Sequence, residues 1–208
     1  MKYFVLPTCN IAFNAKVGSS SLACAAVKKF YPDRLKKVLE DYEKTWSQFS
    51  QEFKDSLPES FQKMFRNDKL DSVSFWQNIC PITNNPVGKT LLAFREPVTR
   101  FASTVAYLEM DAEKTITILE NDECAVVDKA SVKLRTNVHF APQFPLINSE
   151  TTIYKFPDRL KDMCLDADLD WPMETVNEGK NKKPVLTDKQ IERIKAFYAE
   201  DVKIFSSL

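Results

Sequence analysis

The residues best placed to do chemistry lie in one stretch, Asn14-Ala15-Lys16-Val17-Gly18-Ser19-Ser20-Ser21-Leu22. It follows the apolar runs Tyr3-Phe4-Val5-Leu6 and Ile11-Ala12-Phe13 and precedes Ala23-Cys24-Ala25-Ala26-Val27. A β-rich run, a lysine, a glycine and then hydroxyls opening an alanine-rich helix form an anion-binding turn, because helix-start N–H groups, an ammonium and hydroxyls can surround one anion. Gly-Ser-Ser-Ser also makes an ordinary helix cap. The stretch alone leaves both readings open.

A nucleoside-triphosphate loop needs GxxxxGK[ST], with the lysine after the second glycine. Here Lys16 comes two residues before Gly18. Val87-Gly88-Lys89-Thr90 has the right ending, but Thr83 stands where the first glycine belongs and a strand rather than a helix is expected next. It is a decoy.

Lys16-Val17-Gly18-Ser19-Ser20-Ser21-Leu22 resembles the 5′-phosphosulfate loop of the sulfotransferase family. Leu91-Leu92-Ala93-Phe94-Arg95-Glu96-Pro97-Val98-Thr99-Arg100-Phe101-Ala102-Ser103, about eighty residues on, resembles that family's 3′-phosphate motif, a buried strand ending in Arg, an acidic residue, Pro and a helix carrying Arg and Ser. Gly179-Lys180-Asn181-Lys182-Lys183 resembles the Lys/Gly-rich loop of carbohydrate sulfotransferases, without the further glycine usual after the lysines. Residues 31–70 and 110–135 match nothing in the family.

The resemblance implies a P-loop-like sulfotransferase fold and transfer of a sulfuryl group from 3′-phosphoadenosine 5′-phosphosulfate (PAPS) to an acceptor hydroxyl, leaving adenosine 3′,5′-bisphosphate (PAP), with no metal required. It assigns Lys16, Val17, Gly18, Ser19, Ser20 and Ser21 to the 5′-phosphosulfate, Arg95 and Ser103 to the 3′-phosphate, and Lys180 and Lys182 to the closing loop. Lys16 is also the expected catalytic cation, since transfer of this kind relies on alignment and on neutralising charge at the leaving oxygen. Nothing in these motifs fixes the acceptor. The third loop and the segment His139-Phe140-Ala141-Pro142-Gln143, which resembles a His-x-x-Pro-Gln segment of carbohydrate-type relatives, lean to a sugar, with a lipid, a small alcohol or a tyrosine still open.

The acceptor hydroxyl needs a base. His139 is the sole histidine, and an ordinary imidazole pKa near 6.5 suits proton acceptance at neutral pH. Where some relatives carry a catalytic histidine, before the 3′-phosphate motif, this chain has Ser72 and Ser74. Glu40 or Glu43 is the alternative base. Two other classes stay in view: a nucleotide or small-molecule kinase of related architecture, and an inert binding domain in which Lys16 and Arg95 only cap and bridge.

Positioning these residues requires a β-turn-α opening, with a strand from residues 2–6 or 11–13 and a helix from Ser19 to Phe30. Leu35, Val38, Leu39, Tyr42, Trp46, Phe49 and Phe53 fall at helical spacing between Asp33 and Asp55, and Phe61, Met64 and Phe65 mark a shorter helix, so residues 31–67 read as a helical insertion or lid. The aromatic stripe from Tyr42 to Phe53 reads as packing before it reads as an acceptor wall; Trp76 and Trp171 are open between stacking on a ligand and packing. A strand is expected over Asp71–Ile79, turns over Pro81–Gly88, a buried strand over Lys89–Phe94 and a helix from Pro97 to Leu108. Helix is expected again over 112–135, an irregular segment over Asn137–Leu146, a strand over Thr151–Phe156 and a helix over Asp158–Leu165. Residues 171–184 form a loop, after which a capping box from Thr187 to Gln190 starts a final helix striped by Ile191, Ile194, Tyr198, Val202 and Phe205.

The expectation is an α/β fold, a single domain over residues 1–208 with a central, mostly parallel sheet flanked by helices. At 208 residues and 44% hydrophobic composition the chain can bury a substantial core. Twenty-nine basic residues balance twenty-nine acidic ones, so no global field points to nucleic acid or an anionic membrane, and any anion site must be local. Cys9, Cys24, Cys80, Cys124 and Cys164 are odd in number and lack a CxxC pair, which fits reduced, mostly buried thiols. Pro7 interrupts the N-terminal apolar run, leaving no visible signal or membrane span, so a cytoplasmic protein is expected. Partners are a small-molecule or carbohydrate acceptor, and oligomeric state is open.

Overall fold

The computed structural model describes residues 2–47, 51, 79–127, 130–173 and 181–208. The distal half of the predicted insertion, with Phe49, Phe53, Phe61, Met64 and Phe65, lies outside them, as do Ser72, Ser74, Trp76, Gly179, Lys180 and the side chains of Leu39, Tyr42, Glu43 and Trp46. Among the described residues the chain is α/β, with a mixed five-stranded sheet, a separate two-stranded hairpin and seven α-helices.

The first two strands, β1 (Tyr3–Val5) and β2 (Asn10–Ala12), pair antiparallel in the register Tyr3↔Ala12, Phe4↔Ile11, Val5↔Asn10. Both alternatives for the opening strand therefore form. Their connection is far too short for a parallel crossover, which takes a dozen residues or more, and Leu6 N–H donates to Cys9 O at 2.9 Å to close the turn. The helices α1 (Ser19–Phe30) and α2 (Pro32–Ser47) follow. Next, β3 (Ile82–Thr83) arises inside the stretch expected to hold only turns and pairs antiparallel with β1.

The central strand β4 (Thr90–Arg95) lies parallel to β2 and, over six residue pairs, parallel to β7 (Thr151–Phe156). The sheet order is β3-β1-β2-β4-β7. The expected mostly parallel sheet is thus corrected to a mixed one: β2, β4 and β7 form its parallel part, and the short hairpin forces the antiparallel side.

Side-chain alternation explains why helices cover both faces of the sheet. Phe4, Ile11, Leu91, Ala93 and Tyr154 point to one side, where α1 contributes Leu22, Ala23, Ala26 and Val27, and α5 (Leu160–Asp166) contributes Met163 and Cys164. Tyr3, Ala12, Leu92, Phe94 and Ile153 point to the other, against Leu146, Ile147 and the last helix. A third cluster joins α3 (Pro97–Tyr107) and α4 (Ala112–Asn121) through Phe101, Val105, Ile116 and Leu119, with Phe140, Ile194 and Tyr198.

Two further expectations are corrected. Helix over 112–135 stops at Asn121, with Asp122 in the left-handed region (φ 56°), and an antiparallel hairpin of β5 (Cys124–Val127) and β6 (Ala130–Lys133) follows. Arg135 folds back to donate Nε to Leu119 O at 2.7 Å and Nη2 to Glu120 O at 2.9 Å, satisfying carbonyls at the helix end. The final helix is two helices, α6 (Asp188–Phe197) and α7 (Ala199–Ser207), broken at Tyr198. The Thr187–Gln190 capping box is present. Cys9, Cys24, Cys80 and Cys164 are buried and Cys124 is exposed; burial pushes Cys80 up to about 12 and Cys164 to about 11. No helix among the described residues is long and apolar enough to cross a membrane.

Candidate anion site

The turn between β2 and α1 contains two left-handed residues, Lys16 (φ 65°) and Gly18 (φ 76°), on either side of Val17. Glycine adopts this region freely, whereas a lysine there is strained by about 1 kcal/mol. Two arginines hold the strained backbone: Arg95 Nη1 donates to Lys16 O at 2.7 Å, and Arg100 Nε donates to Ala15 O at 3.3 Å. Across a trans peptide, C=O and N–H point oppositely. Fixing these two carbonyls therefore turns the Lys16 and Val17 N–H groups to the other side, in the manner of an anion-binding nest.

Gly18 is the N-cap of α1, so none of the serines caps the helix; Ser19, Ser20 and Ser21 form its buried first turn. No side chain caps that end and no acidic residue lies in the first turn, which leaves the positive end of the helix dipole without a neutralising side chain. A Cβ on Gly18 would sit 3.6 Å from Phe156, an ordinary contact, so the glycine is required by its φ rather than by space.

Lys16 is half-buried, with Nζ 3.9 Å from the centroid of the Tyr107 ring at the end of α3. Burial lowers its pKa, and the nearby positive charges of Arg95 and Lys183 lower it further. Arg95 ends β4 and lies over the Phe156 ring at 5.4 Å; burial lowers its pKa, followed by repulsion from Arg100. Among the described residues none of Lys16, Arg95 and Lys183 forms an ion pair. Glu96 does not neutralise Arg95 by pairing: its carboxylate caps α3, accepting from Val98 N at 3.0 Å and Thr99 N at 2.6 Å. Arg100 is buried and structural, donating also to Ala141 O at 3.0 Å and Val138 O at 3.2 Å.

Ser103 sits half-buried on α3, one turn before Tyr107 and so on the same face. The other side of Tyr107's surroundings is His139, whose ring lies 5.6 Å from the tyrosine ring. Its segment is fixed by Thr104 Oγ1 donating to His139 O at 3.3 Å and by His139 N–H donating to Asn137 Oδ1 at 2.9 Å. Lys16 and His139, both expected in catalysis, thus share one aromatic neighbour. Tyr107 was not singled out by sequence; its signal is its position four residues after Ser103.

The described part of the expected closing loop meets the same C-terminal end of α3. Asn181 Nδ2 donates to Ala106 O at 3.0 Å and to Glu109 Oε1 at 3.1 Å. Lys182 lines a shallow open cavity with Val105, Glu109, Met110 and Pro184, while Lys183, in the loop but not among the expected ligands, is the lysine whose charge bears on Lys16. Glu40 is exposed on α2, and no described hydrogen bond or ion pair connects it to Lys16. Lys89 and Gly88 (φ 80°) lie on an open turn followed by a strand, with nothing within 4 Å of a Gly88 Cβ.

Behind the turn lies a buried polar set absent from the sequence expectations. Gln143 Oε1 accepts from Asn14 Nδ2 at 2.7 Å and from Arg95 N at 3.1 Å, and Gln143 Nε2 donates to Arg95 O at 2.7 Å. Asn14 Nδ2 also reaches Ala93 O at 3.1 Å. Asn14 opens the Lys16 stretch and Gln143 closes the His139 segment, so their sequence positions were the available signal. Compared with known protein families, with curated proteins and with solved structures, the chain matches none.

Proposed function

We propose that this chain is a PAPS-dependent sulfotransferase that transfers a sulfuryl group to an acceptor hydroxyl, with carbohydrate the favoured acceptor class. The observation that carries the reading is the convergence of Lys16, Arg95 and Lys183, without ion pairs among the described residues, on a strained turn at an uncapped helix start. In a chain with no net formal charge, such a cluster is a local demand for an anion with more than one negative group.

Each residue then has a task. The N–H groups opening α1 and the hydroxyls of Ser19, Ser20 and Ser21 hold the 5′-phosphate. Lys16 sits where the bond from sulfur to the bridging oxygen breaks and neutralises the charge left on that oxygen. Arg95 and Ser103 take the 3′-phosphate, and the closing loop, with Lys180, Lys182 and Lys183, covers the nucleotide. His139 accepts the proton of the acceptor hydroxyl as its oxygen bonds to sulfur.

The discriminating experiment is thermal stability with PAP, with ATP and magnesium, and with neither. A ligand that binds only the native state stabilises it by about 4 kcal/mol at a thousandfold excess over Kd. PAP is expected to raise Tm, and Arg95→Ala to reduce that shift. No shift with PAP, or the same shift in Arg95→Ala, would sink the reading; a shift with ATP and magnesium alone would favour a kinase.

A further inference from the structure

Gln143 contacts the charged group of neither motif, yet it joins the peptide groups of Arg95 to the side chain of Asn14. Its side chain is fully buried and makes three hydrogen bonds, one to Asn14 before the Lys16 turn and two to the peptide groups of Arg95 at the end of β4. Its own main chain is fixed in turn by α7: Gln143 N–H donates to both carboxylate oxygens of Asp201, at 3.0 and 2.8 Å, and Phe144 N–H donates to Asp201 Oδ1 at 2.8 Å. Asp201 is fully buried. The break at Tyr198 belongs to the same device, because the Tyr198 hydroxyl donates to Phe140 O at 2.6 Å and seats the other end of the 140–144 segment.

We infer that Gln143 is the positioning residue of the anion site, setting the spacing of the Lys16 turn and Arg95, and that its clamp by Asp201 makes α7 part of that site. This rests on the sulfotransferase reading for the identity of the ligand. The physical basis is that a single buried amide that both accepts and donates ties the Asn14 side chain to the Arg95 peptide groups and so restrains the two segments relative to each other. A small error in the separation of two phosphate-binding groups weakens a rigid ligand that must reach both. By reciprocity, ligand that engages both groups stabilises the docking of α7.

The test uses the full chain, PAP and inorganic pyrophosphate as probes, and titration calorimetry. Gln143→Met keeps the volume and removes all three side-chain bonds. It is expected to weaken PAP on the order of tenfold, whereas Ile116→Ala, a comparably buried deletion in the cluster under α4, lowers stability but leaves affinity unchanged. Equal affinity in Gln143→Met and the unsubstituted chain, or an equal loss in Ile116→Ala, overturns the inference. Should Gln143→Met fail to fold, amide exchange in the unsubstituted chain decides: bound ligand is expected to slow the Gln143 and Phe144 N–H groups, and unchanged exchange overturns the inference. Pyrophosphate separates the two claims. If it binds and PAP does not, the sulfotransferase reading fails and the same comparisons with pyrophosphate still judge Gln143; if neither binds, both fail.

Discussion

Among the described residues two turns pair a lysine with a left-handed glycine, and their surroundings differ. Gly88 (φ 80°) and Gly18 (φ 76°) have nearly the same backbone conformation. After Gly88 the chain enters strand β4, whose N–H groups are used by the sheet, and Val87 is 91% exposed. After Gly18 it enters α1, whose first N–H groups have no partner within the helix, and arginines hold the preceding carbonyls. The difference teaches that a glycine and a lysine make an anion turn only when the next element leaves donors over and the surroundings concentrate positive charge.

The sharpest way to break that contrast is turnover. Lys16→Ala is expected to lower PAP release from PAPS in the presence of acceptor by roughly 100- to 1,000-fold, the usual cost of removing a group that stabilises transition-state charge, while Lys89→Ala leaves it unchanged. Equal effects at the two lysines would erase the distinction. Next in size, Arg95→Ala should weaken PAP by roughly tenfold or more, since a hydrogen bond to a charged group contributes about 1.5–3 kcal/mol; calorimetry reads this directly.

The glycines sharpen the comparison further. Alanine at either position meets the left-handed penalty of about 1 kcal/mol, so denaturant unfolding should show similar losses for Gly18→Ala and Gly88→Ala. Only Gly18→Ala should also weaken PAP. Loss of affinity in Gly88→Ala would put the second turn back in contention.

The smallest effect is in pH. Burial and two neighbouring cations hold the Lys16 pKa below that of an ordinary lysine. Between the lowered folded pKa and the unfolded value, the unfolded chain binds more protons, so unliganded stability contributed by Lys16 rises with pH through that window. Anion binding favours the charged ammonium and therefore weakens over the same rise. Lys16→Met should flatten both trends in alkaline titrations, and an unchanged slope would remove Lys16 from the anion contact.

Much of the scaffold around the first turn was legible because its local signals agree. Gly18, three small polar residues and Ala23, Ala25 and Ala26 define α1 to its ends, and Thr187 with Gln190 marks the start of α6. The β5–β6 hairpin was hidden because α4 ends at a left-handed Asp122 rather than at a glycine, and because helix-like charge continues through Lys133 and Arg135. No helix breaker announces the kink at Tyr198; it is set by tertiary bonds, from the Tyr198 hydroxyl to Phe140 O and from Gln143 N–H to the Asp201 carboxylate. The mixed sheet was hidden because one opening strand was expected where two form and pair antiparallel, and because β3, two residues long, exists only by pairing with β1. In the site, charged types at motif spacing pointed to Lys16 and Arg95. Asn14, Gln143 and Tyr107 act through neighbours distant in sequence, which spacing cannot express.

The Lys16 ammonium resting on the Tyr107 ring has an optical consequence. A phenol's near-ultraviolet absorption responds to a full charge a few ångströms from its π face, and an arriving phosphate draws the ammonium toward itself. On the proposed reading Tyr107 then serves as a built-in chromophore for occupancy of the turn, and subtracting the spectrum of Tyr107→Phe isolates its signal from the five other tyrosines among the chain's six. The protein would report its own ligand without a label.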